Sequence, residues 1–469
     1  MRASTVAAVF AGALIVGVVA AGFLAGQPAA RTVSLLVVGG TVVTGNASHD
    51  VHTPGAVAIE GDTIVDVGPL EAMEARYTGT ERLEVRSDIV LPGLINTHTH
   101  APMVLYRGLA DDLALMDWLQ KYIFPAEAKT VSPEFVRIGT RLAVLEMIES
   151  GTTAYADMYY YEEEIAKATR EAGIRGVLGQ TIIQFPVPDA KTPAEGLART
   201  EAFIKTFRHD ELIVPAVAPH SMYTLDEATL KASTALARQY GVPVLTHLAE
   251  TEDEVRIARE QHNATPTGFL ESIGFWGPRT LAAHGVWMTD EDLAIVARRR
   301  VGVSHNPESN MKLASGAAPV VKYLLAGVAL GLGTDGAASN NDLDMFEAMR
   351  QAGFLAKLTT RDPTAVPARV ALEMATLGGA RALGMEGLIG SLEKGKRADV
   401  ITVSTSASRQ TPLYDPVSHL VYTTHGDDVR TTIVNGKVLM RDRRVLTLDR
   451  ASVIADANRA AAAVRAAVR

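Results

Sequence analysis

The residues in this chain best able to do chemistry are histidines and carboxylates that close short apolar runs. Leu91-Pro92-Gly93-Leu94-Ile95-Asn96-Thr97-His98-Thr99-His100 ends in a His-x-His pair. In a strand, residues i and i+2 project to one side, so His98 and His100 would present two imidazoles close enough to share a metal ion. Alone, the pair could equally be two unrelated histidines at a strand end, because short motifs match by chance. The arrangement recurs, however. Apolar runs also end in Ala218-Pro219-His220, Thr246-His247-Leu248-Ala249-Glu250, Ala282-Ala283-His284, Ser304-His305-Asn306-Pro307 and Gly333-Thr334-Asp335-Gly336. Any one of these histidines would more often be structural. Histidine at five such ends and aspartate at a sixth point to one shared metal centre. The chain has no cysteine, so a metal must be held by His, Asp or Glu, and disulfides and thiolate catalysis are excluded.

A constellation drawn from so many separate runs needs a scaffold that brings strand ends together. Between about 90 and 385, apolar runs alternate with amphipathic segments. The expected strands are Ile89–Asn96, Thr152–Asp157, Gly176–Gln180, Ile213–Ala218, Val244–His247, Thr280–His284, Val301–Ser304 and Val328–Thr334. Eight strands with intervening helices predict an α/β fold, a (β/α)8 TIM-type barrel over 89–385, whose active site lies at the C-terminal strand ends. Both ends of the chain are β-rich instead, with turns at Glu60-Gly61-Asp62 and Asn435-Gly436-Lys437. They predict one small β-sandwich domain built from 31–88 and 386–450. The Ala/Arg-rich tail, 451–469, reads as an exposed helix.

The chain has 469 residues, enough for one large barrel and a smaller satellite domain. A hydrophobic fraction of 47% and a charged fraction of 21% are those of a globular protein. The net charge of −8, with no basic stripe, argues against nucleic acid and leaves a small molecule as the expected partner.

Residues 3–30 carry no charge and lie between Arg2 and Arg31. The apolar core from Val6 to Gly26 would span roughly 30 Å as a helix. One positive residue followed by an apolar run is the layout of an export signal, and Val19-Ala20-Ala21 offers a small-x-small cleavage site. The expectation is a signal peptide or signal anchor in 1–30, with membrane anchoring through residues 3–26 if it stays uncleaved. Arg2 before the span places the rest outside the cytoplasm, periplasmic or membrane-anchored. If the segment is not a signal, the protein is cytoplasmic.

As a set, several motifs resemble the amidohydrolase superfamily, and within it the 5-methylthioadenosine/S-adenosylhomocysteine deaminases. They are PGLINTHTH (92–100), LMDWLQKYIFPAE (115–127), SGTTAYADM (150–158), HLAET (247–251), HNPESNMKLASG (305–316) and GLGTDGAASNNDLDMFEAMR (331–350). The blocks EKGKRADVITV and VRTTIVNGKVL match as well, so the resemblance covers roughly 33–440. It implies one divalent metal held by His98, His100, His247 and Asp335. Three neutral imidazoles and a carboxylate suit Zn²⁺, with Fe²⁺ or Mn²⁺ as substitutes. No lysine follows strand four, where two-metal relatives carry a bridging one.

The resemblance also implies the chemistry. Asp335 would hold a water and accept its proton, His284 would orient the attacking oxygen, and Glu250 would pass a proton to the ring nitrogen. The amine-bearing carbon C6 of an adenine nucleoside or thio-nucleoside would then release ammonia. The substrates implied are 5′-methylthioadenosine, adenosine and S-adenosylhomocysteine. Glu127 matches a ribose-contacting glutamate and His220 a substrate-contacting histidine, and Trp118 would wall the pocket. The sequence departs from the family at one place: Gln180 stands where an arginine meets the amino-acid carboxylate of S-adenosylhomocysteine, and Arg175 precedes the strand. An amide offers no charged fork, so uncharged nucleosides are expected to be preferred. The alternative keeps the machinery and changes the substrate to another amino-heteroaromatic of guanine, pterin or triazine type. Family members are often oligomers, which makes a homo-oligomer the expected assembly.

Overall fold

The computed structural model describes residues 30–468. The leader expected in 1–30 falls, but for its last residue, outside the described residues. Among those described, no helix is long and apolar enough to cross a membrane.

The chain opens with β1 (Arg31–Val43), β2 (Val51–His52), β3 (Gly55–Glu60), β4 (Thr63–Pro69) and, after a short helix, β5 (Tyr77–Pro92). β1 pairs antiparallel to β3 and parallel to β5. Its register to β5 shifts at Gly39-Gly40, where both residues have positive φ. A Cβ on Gly40 would lie 2.2 Å from the Asp88 carbonyl oxygen, so this bulge needs glycine.

Eight parallel strands follow in sequential order: β6 (Leu94–Thr99), β7 (Thr152–Tyr159), β8 (Arg175–Ile182), β9 (Ile213–Pro219), β10 (Val244–Leu248), β11 (Thr280–His284), β12 (Gly302–His305) and β13 (Leu330–Leu332). Every residue of β7, β8, β10, β11 and β12 is buried, as expected for parallel strands covered on both faces. The ring closes between β6 and the segment after β13. There the Asn96 amide donates to Thr334 Oγ1 at 2.7 Å, and the Asp335 backbone N–H donates to the His98 carbonyl at 2.9 Å. This seam sets Asp335 beside the His-x-His pair.

The last strands, β14 (Val400–Val403), β15 (Val429–Val434), β16 (Lys437–Arg441) and β17 (Arg444–Val445), return to the first sheet. Its order is β17-β16-β15-β14-β5-β1-β3-β4, with β2 on β1. At the far edge Thr63 bridges to Arg397, and the Ile64 N–H donates to the Lys396 carbonyl at 2.9 Å. Val57, Ile59 and Ile64 share one apolar cluster with Val400 and Ile433. The small domain expected from both chain ends is therefore one nine-stranded mixed sheet, curled so that its halves pack on each other.

One expected boundary moves. Ile89–Pro92 end β5 and pair with β14, so the barrel begins at Leu94 rather than at 89. An apolar run buried on both faces suits either sheet, and only the pairing tells them apart. At the first crossing between the domains a single residue, Gly93, separates β5 from β6, and a Cβ there would lie 2.0 Å from Thr153 Oγ1. The tail helix Arg450–Val468 is not simply exposed. It buries Val453, Ala457 and Val464, and packs on helices Phe124–Thr130 and Pro133–Glu149. Arg175 lies at the opposite end of the barrel from the strand C-termini. It is buried, bonds Asp399 at 3.3 Å and Asn435 at 2.6 Å, and fastens the barrel to the small domain.

Candidate metal centre and substrate pocket

His98, at the end of β6, and His100, just beyond it, face one point. Their ring centroids lie 4.9 Å apart, edge to face. His247 from β10 brings its Nε2 to 3.4 Å from His100 Nε2. Asp335 Oδ1 lies 3.5 Å from His98 Nε2 and 3.4 Å from His100 Nε2. A backbone carbonyl takes the other ring nitrogen of two of these histidines: His100 Nδ1 donates to Met158 O at 2.6 Å, and His247 Nδ1 to His220 O at 2.8 Å. Those bonds place the ring proton on Nδ1 and leave the Nε2 lone pair free toward the centre. His98 Nε2 is buried with no hydrogen-bond partner among the described residues.

Electrostatics agree with a cation at this point. Burial, reinforced by His98, pushes His100 down to about 4, and burial does the same to His247 with help from His220 and its other histidine neighbours. Both imidazoles are therefore neutral and can ligate at neutral pH. Burial alone would raise Asp335, but the adjacent imidazoles of His98, His284 and His100 hold the carboxyl well below the usual range. Three imidazole nitrogens, one of them the orphaned Nε2 of His98, and one carboxylate oxygen converging at this spacing fit one divalent metal ion.

His284, at the end of β11, has its ring nitrogens turned the other way. Its Nδ1 accepts from the Asn310 amide at 3.0 Å and the Asn306 amide at 3.3 Å. The ring proton is thus on Nε2, which lies 3.7 Å from Glu250 Oε2 and 4.0 Å from Asp335 Oδ2. His284 is in this way set up as a donor, although it lies within metal-binding range of His98 and His247. Glu250, two residues past β10, is buried. Burial and the neighbouring Asp335 and Glu254 hold its carboxyl well above the usual range, which favours the protonated form. The backbone is left-handed at Ala249 (φ 47), His284 (φ 76) and Asp335 (φ 64). None of the three is glycine, and sparsely populated conformations of this kind cluster at functional sites.

The pocket over this centre is roofed by helix Leu115–Trp118, a π-helical turn Leu119–Ile123 and helix Phe124–Thr130. Trp118, Glu127 and His220 line it beside the metal-facing residues. Glu127 is buried and accepts from the Tyr159 hydroxyl at 2.6 Å. Burial pushes its carboxyl up to about 7 against that bond. The His220 ring lies tilted against His247, with centroids 4.6 Å apart. The indole N–H of Trp118 has no partner among the described residues.

The structure does not bring Gln180 to the pocket. Its amide donates to Asp189 Oδ2 at 2.8 Å and to the Thr181 carbonyl at 3.3 Å, and the next residue, Thr181, faces the pocket instead. Placing Gln180 there from sequence went wrong because one step along a strand reverses the side. His305 also stays out of the cluster. It is buried on β12 with neither ring nitrogen bonded among the described residues, and burial lowers it to about 4. Histidines from four of the five strand ends therefore gather at the pocket.

Sequence reasoning missed the residues that hold the chemical ones in place. Ser309 donates to Asp335 Oδ2 at 2.7 Å, and Asn310 sets the His284 tautomer. Both lie in the short helix Pro307–Lys312 directly after β12, and polar residues so close to a strand's C-terminal end were the available signal. Asp157 on β7 accepts from the Ala101 N–H at 2.5 Å, and burial raises it to about 8.

Residues 89–439 match the amidohydrolase family, and residues 55–79 match the imidazolonepropionase-like composite domain of bacteria. The chain is 44% identical, over 93% of its length, to the 5-methylthioadenosine/S-adenosylhomocysteine deaminase 1 of Syntrophus aciditrophicus, and covers 98% of that protein. It is also 44% identical, over 87% of its length, to the 5′-deoxyadenosine deaminase of Methanosarcina mazei, and covers 93% of it. The crystal structure of an adenosine deaminase from Xanthomonas campestris with bound zinc has a TM-score of 0.92 and 39% identity, covering 93% of this chain and 100% of that one.

Proposed function

The chain belongs to the amidohydrolase family and is a hydrolytic deaminase, and we propose that zinc is its metal and that adenine nucleosides and 5′-thio-nucleosides, 5′-methylthioadenosine and adenosine among them, are its substrates. The observation that carries this reading is the convergence of His98, His100, His247 and Asp335 on one point, with the Glu250 carboxyl and the Nε2–H of His284 beside it.

In this reading His98, His100, His247 and Asp335 hold the metal. When bound, the ion supplies the positive charge that lets a water lose its proton near neutral pH. Asp335, kept ionised, accepts that proton, while Ser309 and the Gly336 N–H, donating at 2.7 Å each, hold its two oxygens in place. His284 donates from Nε2 to the attacking oxygen and offsets its charge as the C6–O bond forms. Glu250 gives its proton to the ring nitrogen N1, so the purine does not accumulate negative charge. The C6–N bond then breaks as the proton taken up by Asp335 leaves with the amine, and the proton still on the attacking oxygen passes to Glu250, which restores its acid form and leaves a C6 carbonyl. The products are a 6-oxopurine and ammonia. Glu127 accepts from the ribose hydroxyls, for which a carboxylate is a good double acceptor, and Trp118 and His220 wall the base.

The test is ammonia release by metal-loaded protein over a panel of aminopurines. Adenosine that binds without liberating ammonia contradicts the reading. Export by residues 3–26 belongs to the same proposal, supported by the uncharged apolar run after Arg2. Fractionation of cells making the full chain tests it, and activity confined to the cytoplasmic fraction contradicts it.

A further inference from the structure

We propose that Lys312 is a positioning residue that clasps the roof down over the substrate, and that it acts on KM through the roof rather than on the chemical step. The proposal rests on the deaminase reading, because the roof carries Glu127, the side chain given there to the ribose.

The roof gives the pocket Leu115, Trp118, Leu119, Ile123, Phe124 and Glu127. Its two ends are held differently. At the far end, Thr130 Oγ1 and the Tyr106 hydroxyl lie 2.7 Å apart, and Lys129 donates to the Ala467 carbonyl at 3.2 Å, where the tail helix packs on Phe124–Thr130. The near end is the loop 107–114, between the short helix Ala101–Tyr106 and helix Leu115–Trp118. Among the described residues, no backbone N–H from Ala110 to Ala114 donates to another backbone group. Arg107, Gly108, Asp111, Asp112 and Ala114 are exposed, and the backbone is left-handed at Gly108 (φ 69) and Asp112 (φ 60). A segment with few backbone bonds and little buried surface opens at low cost.

Lys312 supplies what the loop lacks. Its Nζ donates to Asp111 Oδ1 at 2.5 Å and to Asn341 Oδ1 at 2.6 Å, and the Asn341 amide donates to the same Asp111 oxygen at 3.4 Å. The segments after β6, β12 and β13 thus meet at one ammonium, whose three donors suit such a junction. Lys312 does not line the pocket. It ends helix Pro307–Lys312, which holds Asp335 through Ser309 and His284 through Asn310, so the clasp is anchored in the wall of the site. Among the described residues, Asp111 pairs with no other cation and Lys312 with no other carboxylate. The two side chains are 37% and 23% exposed, so salt screens the pair. A pair of this kind adds little to global stability, but it is a large share of what keeps so weakly bonded a loop closed. Without it the closed fraction of free enzyme falls and KM rises in proportion, while bound substrate still holds the roof at Glu127 and kcat stays.

Steady-state kinetics of the metal-loaded enzyme with adenosine test this. Lys312→Met should raise KM by about fivefold, the upper range for a half-exposed ion pair, and change kcat by less than about twofold. Asp111→Asn should do the same, the double variant should be no worse than either single one, and Lys312→Arg should restore most of the loss. Adenosine is uncharged, so raising the salt from about 0.05 to 0.5 M should raise the wild-type KM toward that of Lys312→Met and leave the variant's own KM in place. A fall in kcat with KM unchanged would make Lys312 a support of the helix that carries Ser309 and Asn310, and overturns the clasp. Losses that add in the double variant overturn it too. If the wild type releases no ammonia from adenosine, the deaminase reading fails, and the clasp is read instead from tryptic cleavage after Arg107 and Lys121, both exposed in the roof segment. Cleavage faster in Lys312→Met than in the wild type upholds the clasp, and equal rates overturn it.

Discussion

The Asn310 amide donates to His284 Nδ1 at 3.0 Å, and that one bond decides what His284 can do. With Nδ1 occupied as an acceptor, the proton sits on Nε2, facing Glu250 and Asp335. Asn310→Asp inverts this: a carboxylate accepts from Nδ1–H and turns a lone pair toward the substrate. We expect kcat to fall by about 10²-fold, the range found when an oxyanion donor is lost. Metal content should not change. An equal loss in Asn310→Leu, which leaves the tautomer to Asn306, would argue for packing rather than proton placement.

Glu250→Gln keeps the shape of the side chain and removes the transferable proton. Turnover of adenosine should drop by about 10²- to 10⁴-fold, with metal stoichiometry by elemental analysis unchanged. A variant retaining wild-type kcat would remove Glu250 from the reaction.

His247→Ala takes one imidazole from the centre. Its metal affinity should fall enough for dialysis against a mild chelator to strip the variant but not the wild type. Melting temperatures should report the same loss, because a ligand bound only by the folded state stabilises it by mass action. A variant that stays fully metallated after dialysis contradicts the ligand role.

Asp157 makes stability depend on pH. Burial raises its folded carboxyl to about 8, against an ordinary value of 3.8. The folded state therefore holds a proton that the unfolded chain has lost, and this contribution is complete below the unfolded value and lost as pH rises through 8. The melting temperature should decline between about pH 4 and pH 8 and level off above that. Asp157→Asn, which can still accept from the Ala101 N–H, should flatten that decline by up to about 1.4 kcal/mol per pH unit. Parallel profiles for the two proteins would show that Asp157 does not titrate there.

The sequence made the metal centre legible because its parts obey a local rule. A histidine or aspartate closes an apolar run, and the topology of the barrel brings the ends of such runs together, as it does for His98, His247 and Asp335. Residues whose task depends on tertiary direction were less legible. Gln180 and Thr181 are adjacent, and only the structure shows which of them faces the pocket. The start of the barrel was hidden because Ile89–Pro92 and Leu94–Thr99 are equally apolar and belong to different sheets. The support from Asn310 and Ser309 needed the fold, since nothing in their local pattern names His284 or Asp335 as the partner.

The left-handed backbone at His284 and Asp335 constrains how this protein can drift. Such conformations cost an L-residue of order 1–3 kcal/mol each and suit glycine. Glycine at either position would relieve that cost and remove the imidazole or the carboxylate with it. The changes that would most readily make this fold more robust are thus among those that would leave it inert. Selection for thermal tolerance in the absence of metal, with activity unmonitored, should find these two positions early.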